Sequence, residues 1–154
     1  MDIEDMLAPE GIIPRLKADD KKQALQALAT KAEAATGASA HEIYAALLQR
    51  ERLSSTSLGR GIAIPHVKLP AIQAITCLFA RLEHAVPFES HDGEPVDLLF
   101  FLLAPEQAGG DHLKALARIS RLVRDPATLE GLRNAKDVDE LRIVLTKPIA
   151  SHAA

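Results

Sequence analysis

Leu25, Leu28 and Ala32 recur at helical spacing inside a stretch rich in Ala, Leu, Lys and Gln, which predicts a helix from Lys21 to Ala35. Asp19-Asp20 offers its N-cap and Gly37 its end. Ser39, with Glu42 three residues on, reads as a capping box opening a second helix. Its apolar stripe is Ile43, Ala46 and Leu47, and it runs to about Arg52. The pattern then changes period. Leu53 to Gly61 is a small, hydroxyl-rich, glycine-punctuated loop feeding a short strand, Ile62 to His66. Ile75 to Leu82 reads as a longer strand, and Asp92-Gly93 as a turn between strand-like stretches. Val96 to Leu103 is apolar at both parities after Asp97, the mark of a strand buried on both faces, and Pro105 stops it.

Helical spacing returns after Gly109-Gly110, a flexible joint. Asp111 is the expected cap of a helix carrying Leu113, Leu116, Ile119 and Val123. Asp125-Pro126 opens another helix, because proline suits the first helical position. Asp137 opens the last, with Val138, Leu141 and Val144 on one face. Near the start, Gly11 to Leu16 reads as a short extended piece that Pro14 places at a sheet edge or strand end. The tail after Lys147 is expected to fray. Helices, then strands, then helices predict an α/β fold: a mixed β-sheet flanked by helices on both faces. With no internal repeat or linker, residues 1–154 read as a single domain with its core over about 12–146.

Composition removes several kinds of chemistry. The chain has 18 basic and 21 acidic residues, for a formal charge of -3, so nucleic acid is not an expected partner. Aromatics amount to 3% of its 154 residues, too few for a stacking surface. The one cysteine, Cys77, can form neither an internal disulfide nor a cysteine-rich zinc site, and among Ile75, Leu78 and Phe79 it reads as an inert buried thiol. The start, Met1 to Asp5, is acidic and unlike a signal peptide, and the longest apolar run, Leu98 to Ala104, is too short to span a bilayer. A cytoplasmic protein without membrane insertion is the expectation.

Six histidines carry what chemistry is left: His41, His66, His84, His91, His112 and His152. His66 follows Pro65 at a strand end, behind the hydroxyl-rich loop. By the strand's period of two it shares a face with Ile62 and Ile64 unless Pro65 bends the chain. Apolar neighbours keep an imidazole neutral, and a neutral imidazole is a nucleophile. The plainer alternative is a strand-end histidine that satisfies a hydrogen bond. His112 stands by a helix N-terminus, where free amides suit an anion; otherwise it is an exposed first-turn residue. Arg50 can reach a phosphoryl group, or else solvate the end of its helix. His84 and His91 lack a third ligand at metal spacing and read as surface residues. Lys114, Arg118 and Arg121 form one helical face, solvated by default.

Three blocks in order resemble a known family. The stretch Arg50 to His66, ending Gly-Ile-Ala-Ile-Pro-His, is similar to the active-site signature of bacterial phosphotransferase-system enzyme IIA proteins of the mannitol/fructose type, and most to their nitrogen-regulatory branch. Asp92 to Phe100 with Ala104-Pro105, and His112 to Ala117, match two further family stretches, so the likeness runs from about Ile12 to Leu145. The resemblance implies that His66 is phosphorylated through Nε2, that His112 and Arg50 stabilise the phosphoryl group, and that Thr56 is a donor from the active-site loop. It implies no cofactor and no metal. It implies an HPr-like phosphocarrier (NPr in the nitrogen branch) as donor, with potassium-uptake proteins or a sensor kinase among the regulatory targets. A sugar-transport enzyme IIA passing phosphate to a fructose- or mannitol-type IIB is the alternative. The chain differs from many members at Val67, where glycine is common, and at Ser57-Leu58, where glycine-isoleucine is common. Exchange between carriers also calls for exposed apolar surface near His66, with Leu58 and Leu69 as candidates.

Overall fold

The computed structural model describes residues 2–147. In chain order these form α1 (Ile3–Met6), β1 (Leu7–Leu16), α2 (Lys21–Thr36), α3 (Ala40–Leu53), β2 (Ser57–Gly59), β3 (Ile62–Ala63), β4 (His66–Lys68), β5 (Thr76–Val86), β6 (Val96–Ala104), α4 (Gly110–Val123), α5 (Pro126–Asn134) and α6 (Val138–Thr146). The frayed tail expected after Lys147, with His152, lies outside the described residues.

The strands make one mixed sheet in the order β1-β5-β6-β3-β2, with β4 also pairing β6. β1 runs parallel to β5, β5 antiparallel to β6, β3 and β4 parallel to β6, and β2 antiparallel to β3. Strand parity sorts the core into two layers. Leu78, Ala80, Leu99, Phe101 and Leu103 face Leu25, Leu28, Ile43 and Leu47 of α2 and α3. Cys77, Phe79, Leu98, Phe100 and Leu102 face Ala115, Ile119, Leu132 and Leu141 of α4, α5 and α6. Helices therefore cover both faces, and β6 is the doubly buried strand its two apolar parities predict. Burial pushes the Cys77 thiol up to about 12, which makes it as inert as its apolar neighbours suggest. No helix among the described residues is long and apolar enough to cross a membrane.

Local chemistry accounts for most helix ends. The side chains of Asp20, Ser39, Asp125 and Asp137 each accept a bond from an amide of the first turn. Gly37 closes α2 in the left-handed region, at φ 80.

Several boundaries differ from the sequence reading, each for a tertiary reason. The first strand begins at Leu7, well before Gly11, because β5 offers it a parallel partner from Cys77 to Leu82. A short helix, Ile3–Met6, precedes it and buries Ile3 and Met6. Ser39 caps α3 without the reciprocal bond of a capping box. Asp111 is not the cap of α4: the cap lies two residues earlier, at Gly109 with φ 56, and makes no side-chain cap bond. Ser57–Gly59, read as loop, forms a strand against β3.

The expected strand Ile62 to His66 is broken into β3 and β4 at Ile64-Pro65. Ile64 N turns away to bond Thr56 O at 3.0 Å, and Pro65 has no amide to give. Register survives the break: Ile62 pairs Leu98 and His66 pairs Leu102, the same offset on both sides. His66 therefore stays in phase with Ile62 and Ile64, as the period of two requires.

Candidate functional site

Three elements meet at the end of the broken strand. β4 carries His66, the last turn of α3 carries Arg50, and the first turn of α4 carries His112. The rings of His66 and His112 are 5.4 Å apart between centroids and tilted by 55°. Arg50 Nε donates to His66 Nε2 at 3.2 Å, and its Nη1 donates to Ser54 O at 2.9 Å. α3 belongs to the opposite helix layer from α4. Arg50 meets the two histidines because β4 lies at the sheet margin, its pairing being with β6 alone among the described residues.

The hydrogen bonds set the protonation of His66. Its Nδ1 lies 2.8 Å from Ile64 O, an acceptor, so Nδ1 carries the proton. Its Nε2 faces a guanidinium N–H, so Nε2 holds the lone pair. A second proton would set one N–H against another. Burial holds His66 below the usual imidazole range; the Ile64 carbonyl opposes this, Arg50 deepens it, and Glu51 opposes it more weakly. Burial also lowers His112, helped by His66 and then Lys68. The result is a neutral, half-buried imidazole with its lone pair aimed at a guanidinium, the arrangement of a nucleophile towards an anionic electrophile.

His112 is buried (6% exposed), not an exposed first-turn residue. Its Nδ1 has no hydrogen-bond partner. A buried polar atom without a partner is costly unless something else satisfies it, and its ring lies beside that of His66. The three residues open on a cleft of about 330 Å³ whose lining also includes Lys68 and Leu53. That lining holds two cations, Arg50 and Lys68, and no carboxylate. A larger hollow of about 730 Å³ lies against Arg60, Asp97 and Arg133 and contains none of the candidate site residues His66, His112, Arg50 and Thr56. One of its two guanidiniums is already committed: Arg133 is held by both oxygens of Asp97 at 2.9 Å and by Arg60 O. Volume alone does not mark the candidate site.

Thr56 is not brought into the cleft. It is buried, and its hydroxyl and amide both bond the Glu51 carboxylate. Glu51, which the sequence reading missed, is in turn paired with Lys21. The apolar rim also differs from expectation. Leu53 (78% exposed) and Leu113 (67%) adjoin Arg50's helix end and His112; Leu58 is exposed as expected but does not line the cleft, and Leu69 is packed against the core. Val67 is a regular strand residue, buried and paired with Leu103, so a side chain there does not disturb the site. Ser57 bonds Ser90 and accepts from Gly59 N, which ties down the loop at its other departure from the family pattern. His41, His84 and His91 lie away from the cleft lining, and Arg118 is mostly covered and pairs with Asp2.

A pH dependence follows from the two depressed imidazoles. The unfolded chain protonates them near pH 6.5, as ordinary histidines do, while the native state does not. Below about that pH the unfolded state binds more protons, so stability falls as pH drops towards the native values. Urea denaturation at about pH 7.5 and about pH 5.5 should show a larger acid loss in the wild type than in a variant with both histidines replaced by glutamine. Equal losses would mean the rings are not held neutral.

Comparison with known proteins adds a second line of support. The family model described as phosphoenolpyruvate-dependent sugar phosphotransferase system, EIIA 2, matches residues 5–147. The chain is 54% identical to a nitrogen regulatory protein of Bradyrhizobium diazoefficiens, over 99% of this chain and 100% of that one. The fold is similar to the crystal structure of nitrogen regulatory protein IIA-Ntr from Neisseria meningitidis, with a TM-score of 0.88 at 32% identity over 94% of this chain and 99% of that chain. It is also similar to IIA mannitol from Escherichia coli, with a TM-score of 0.73 at 25% identity over 88% of this chain and 96% of that chain.

Proposed function

Since the chain belongs to the EIIA 2 family of the phosphoenolpyruvate-dependent phosphotransferase system, we propose that it is a phosphohistidine carrier of the nitrogen-regulatory branch, accepting a phosphoryl group on His66 Nε2 from an HPr-like carrier such as NPr. The observation that carries this reading is the state of the His66 ring: proton on Nδ1 against Ile64 O, lone pair on Nε2 facing Arg50.

The chemistry balances without a further reactant. The Nε2 lone pair forms the new N–P bond as the bond from phosphorus to the donor's histidine nitrogen breaks. The donor imidazole, protonated on its other ring nitrogen, keeps that electron pair and leaves neutral, while His66 retains its Nδ1 proton. Such transfers proceed through a loose transition state and are accelerated by positioning and charge stabilisation. Arg50 supplies a fixed cation at the accepting atom. His112, with an unpartnered Nδ1 next to His66, supplies a further group for a phosphoryl oxygen.

The regulatory role follows from charge. Before transfer the cleft carries Arg50 and Lys68 beside a neutral histidine. The phosphoryl oxygens bring roughly -1.5 to -2 charges near pH 7, and with the proton kept on Nδ1 the cleft's net charge falls by about one unit. A partner that reads the surface around Leu53 and Leu113 therefore meets a cationic cleft in one state and a phosphate-bearing, less cationic one in the other. The 54% identity to a nitrogen regulatory protein over the full chain favours this reading over sugar transport.

The experiment is a transfer assay with phosphoenolpyruvate and enzyme I, run in parallel with the nitrogen-branch and the sugar-branch carrier. Acid-labile, alkali-stable label should reach this protein faster from the nitrogen-branch carrier. Labelled protein is then offered to fructose- and mannitol-type IIB acceptors. Efficient passage to a IIB would overturn the regulatory reading in favour of sugar transport.

A further inference from the structure

Phosphoryl chemistry at His66 leaves one buried charged cluster unused: Lys21, Glu51 and Thr56. Both charges oppose their own helices. Lys21 is the first residue of α2 and Glu51 lies in the last turn of α3, where the helix dipole disfavours a cation and an anion respectively. Glu51 is also 8% exposed. A carboxylate in that position persists only because its partners are in place. Glu51 Oε1 accepts from Thr56 N at 3.1 Å and pairs with Lys21 Nζ at 3.0 Å, and Oε2 accepts from the Thr56 hydroxyl. Lys21 is itself held by Glu89 at 2.9 Å and over the Phe88 ring at 4.6 Å.

These bonds close a ring around the reactive histidine. Thr56 O accepts from Ile64 N at 3.0 Å. Ile64 O accepts from His66 Nδ1 at 2.8 Å. His66 Nε2 accepts from Arg50 Nε at 3.2 Å, and Arg50 is bonded to Glu51 through the chain. One turn of α3 thus grips both nitrogens of the imidazole, directly through Arg50 and indirectly through Glu51. We propose that Glu51, with Lys21 as its counter-ion, is a positioning residue for the reaction at His66, holding through Thr56 the carbonyl of Ile64 that keeps the ring proton on Nδ1 and the lone pair on Nε2. Hydrogen bonds weaken steeply with misalignment, so a small drift of the Ile64 carbonyl frees the ring to take the other tautomer, whose Nε2–H cannot attack. The inference rests on His66 as the phosphoryl acceptor, but its primary readout does not.

The test is nitrogen-15 NMR of the His66 ring in wild type, Glu51→Gln, Thr56→Val and Thr56→Ser, alongside the rate of carrier-dependent phosphorylation. Wild type and Thr56→Ser should show the Nδ1–H tautomer. Glu51→Gln should show a mixture and transfer about 10- to 100-fold more slowly, the scale of loss expected from misplacing a reacting group. Thr56→Val should shift the same way by less. A folded Glu51→Gln protein with the wild-type tautomer overturns the proposal, whether or not transfer slows, since slow transfer with an unchanged ring is a structural effect only. If Glu51→Gln does not fold, Thr56→Val decides on the same criterion. A wild type that accepts phosphate from neither carrier would instead defeat the carrier reading, and the ring measurement would still decide the role of Glu51.

Discussion

Replacing His66 by alanine is expected to abolish carrier-dependent phosphorylation while leaving the fold intact. No other described histidine has its environment. His41, His84 and His91 lie outside the cleft, and none is bonded by a guanidinium. His112 shares the cleft, but its Nδ1 has no acceptor to hold a proton there and so to present Nε2 as a lone pair. His66 is half-buried at the sheet margin, so truncation opens the cleft without emptying the core, and the stability change should be within about 1 kcal/mol. The check is retention of label after alkali and its loss after acid, with circular dichroism to confirm folding. A His66→Ala protein that still takes up acid-labile phosphate would refute the assignment of the acceptor.

The second large effect is at Arg50. An Arg50→Gln protein should fold, keep His66 accessible, and accept phosphate about 10² to 10³-fold more slowly, the usual scale for loss of one preorganised charged donor. The guanidinium has two tasks in the resting protein, Nε on His66 and Nη1 on Ser54 O. Its planar fork performs both at once, which a lysine ammonium cannot do in the same geometry. Arg50→Lys should therefore recover only part of the rate. Loss of the cation also removes one of the influences that lower the His66 pKa, so the ring in Arg50→Gln should titrate at higher pH than in wild type. Stopped-flow transfer and an NMR titration of His66 measure the two effects separately. A rate within threefold of wild type would assign Arg50 to helix solvation alone.

The legibility of this molecule divides by distance along the chain. Helices α2, α3, α5 and α6 announce themselves because caps and 3.6-residue stripes are local features. The double parity of Leu98 to Leu103 foretells a strand covered on both faces, since a strand with one wet face could not carry it. The places where sequence reading slips are places where a partner overrules propensity. Leu7 to Glu10 becomes strand because β5 lies beside it. Gly109 at φ 56 begins a helix that Asp111 seemed to cap. Leu69 reads as surface and is packed against the core, while Leu53 and Leu113 hold the exposed apolar positions next to Arg50's helix end and His112. Glu51 had one local sign, an acid set against its helix dipole, and that sign says only that a partner exists somewhere.

What the sequence by itself determined is the order of elements, the mixed sheet between two helix layers, and His66 as the residue behind a rigid Pro65. Those follow from periodicity and from the covalent limits of proline and glycine, which act within a few residues. Only the tertiary structure decided that Arg50 and His112, arriving from opposite layers, meet at His66, that Thr56 turns inward to Glu51, and that the imidazole proton sits on Nδ1. The reason is that a tautomer and a depressed pKa are set by which donors, acceptors and apolar walls surround a ring. At His66 those walls come from segments that packing, not sequence proximity, brings together.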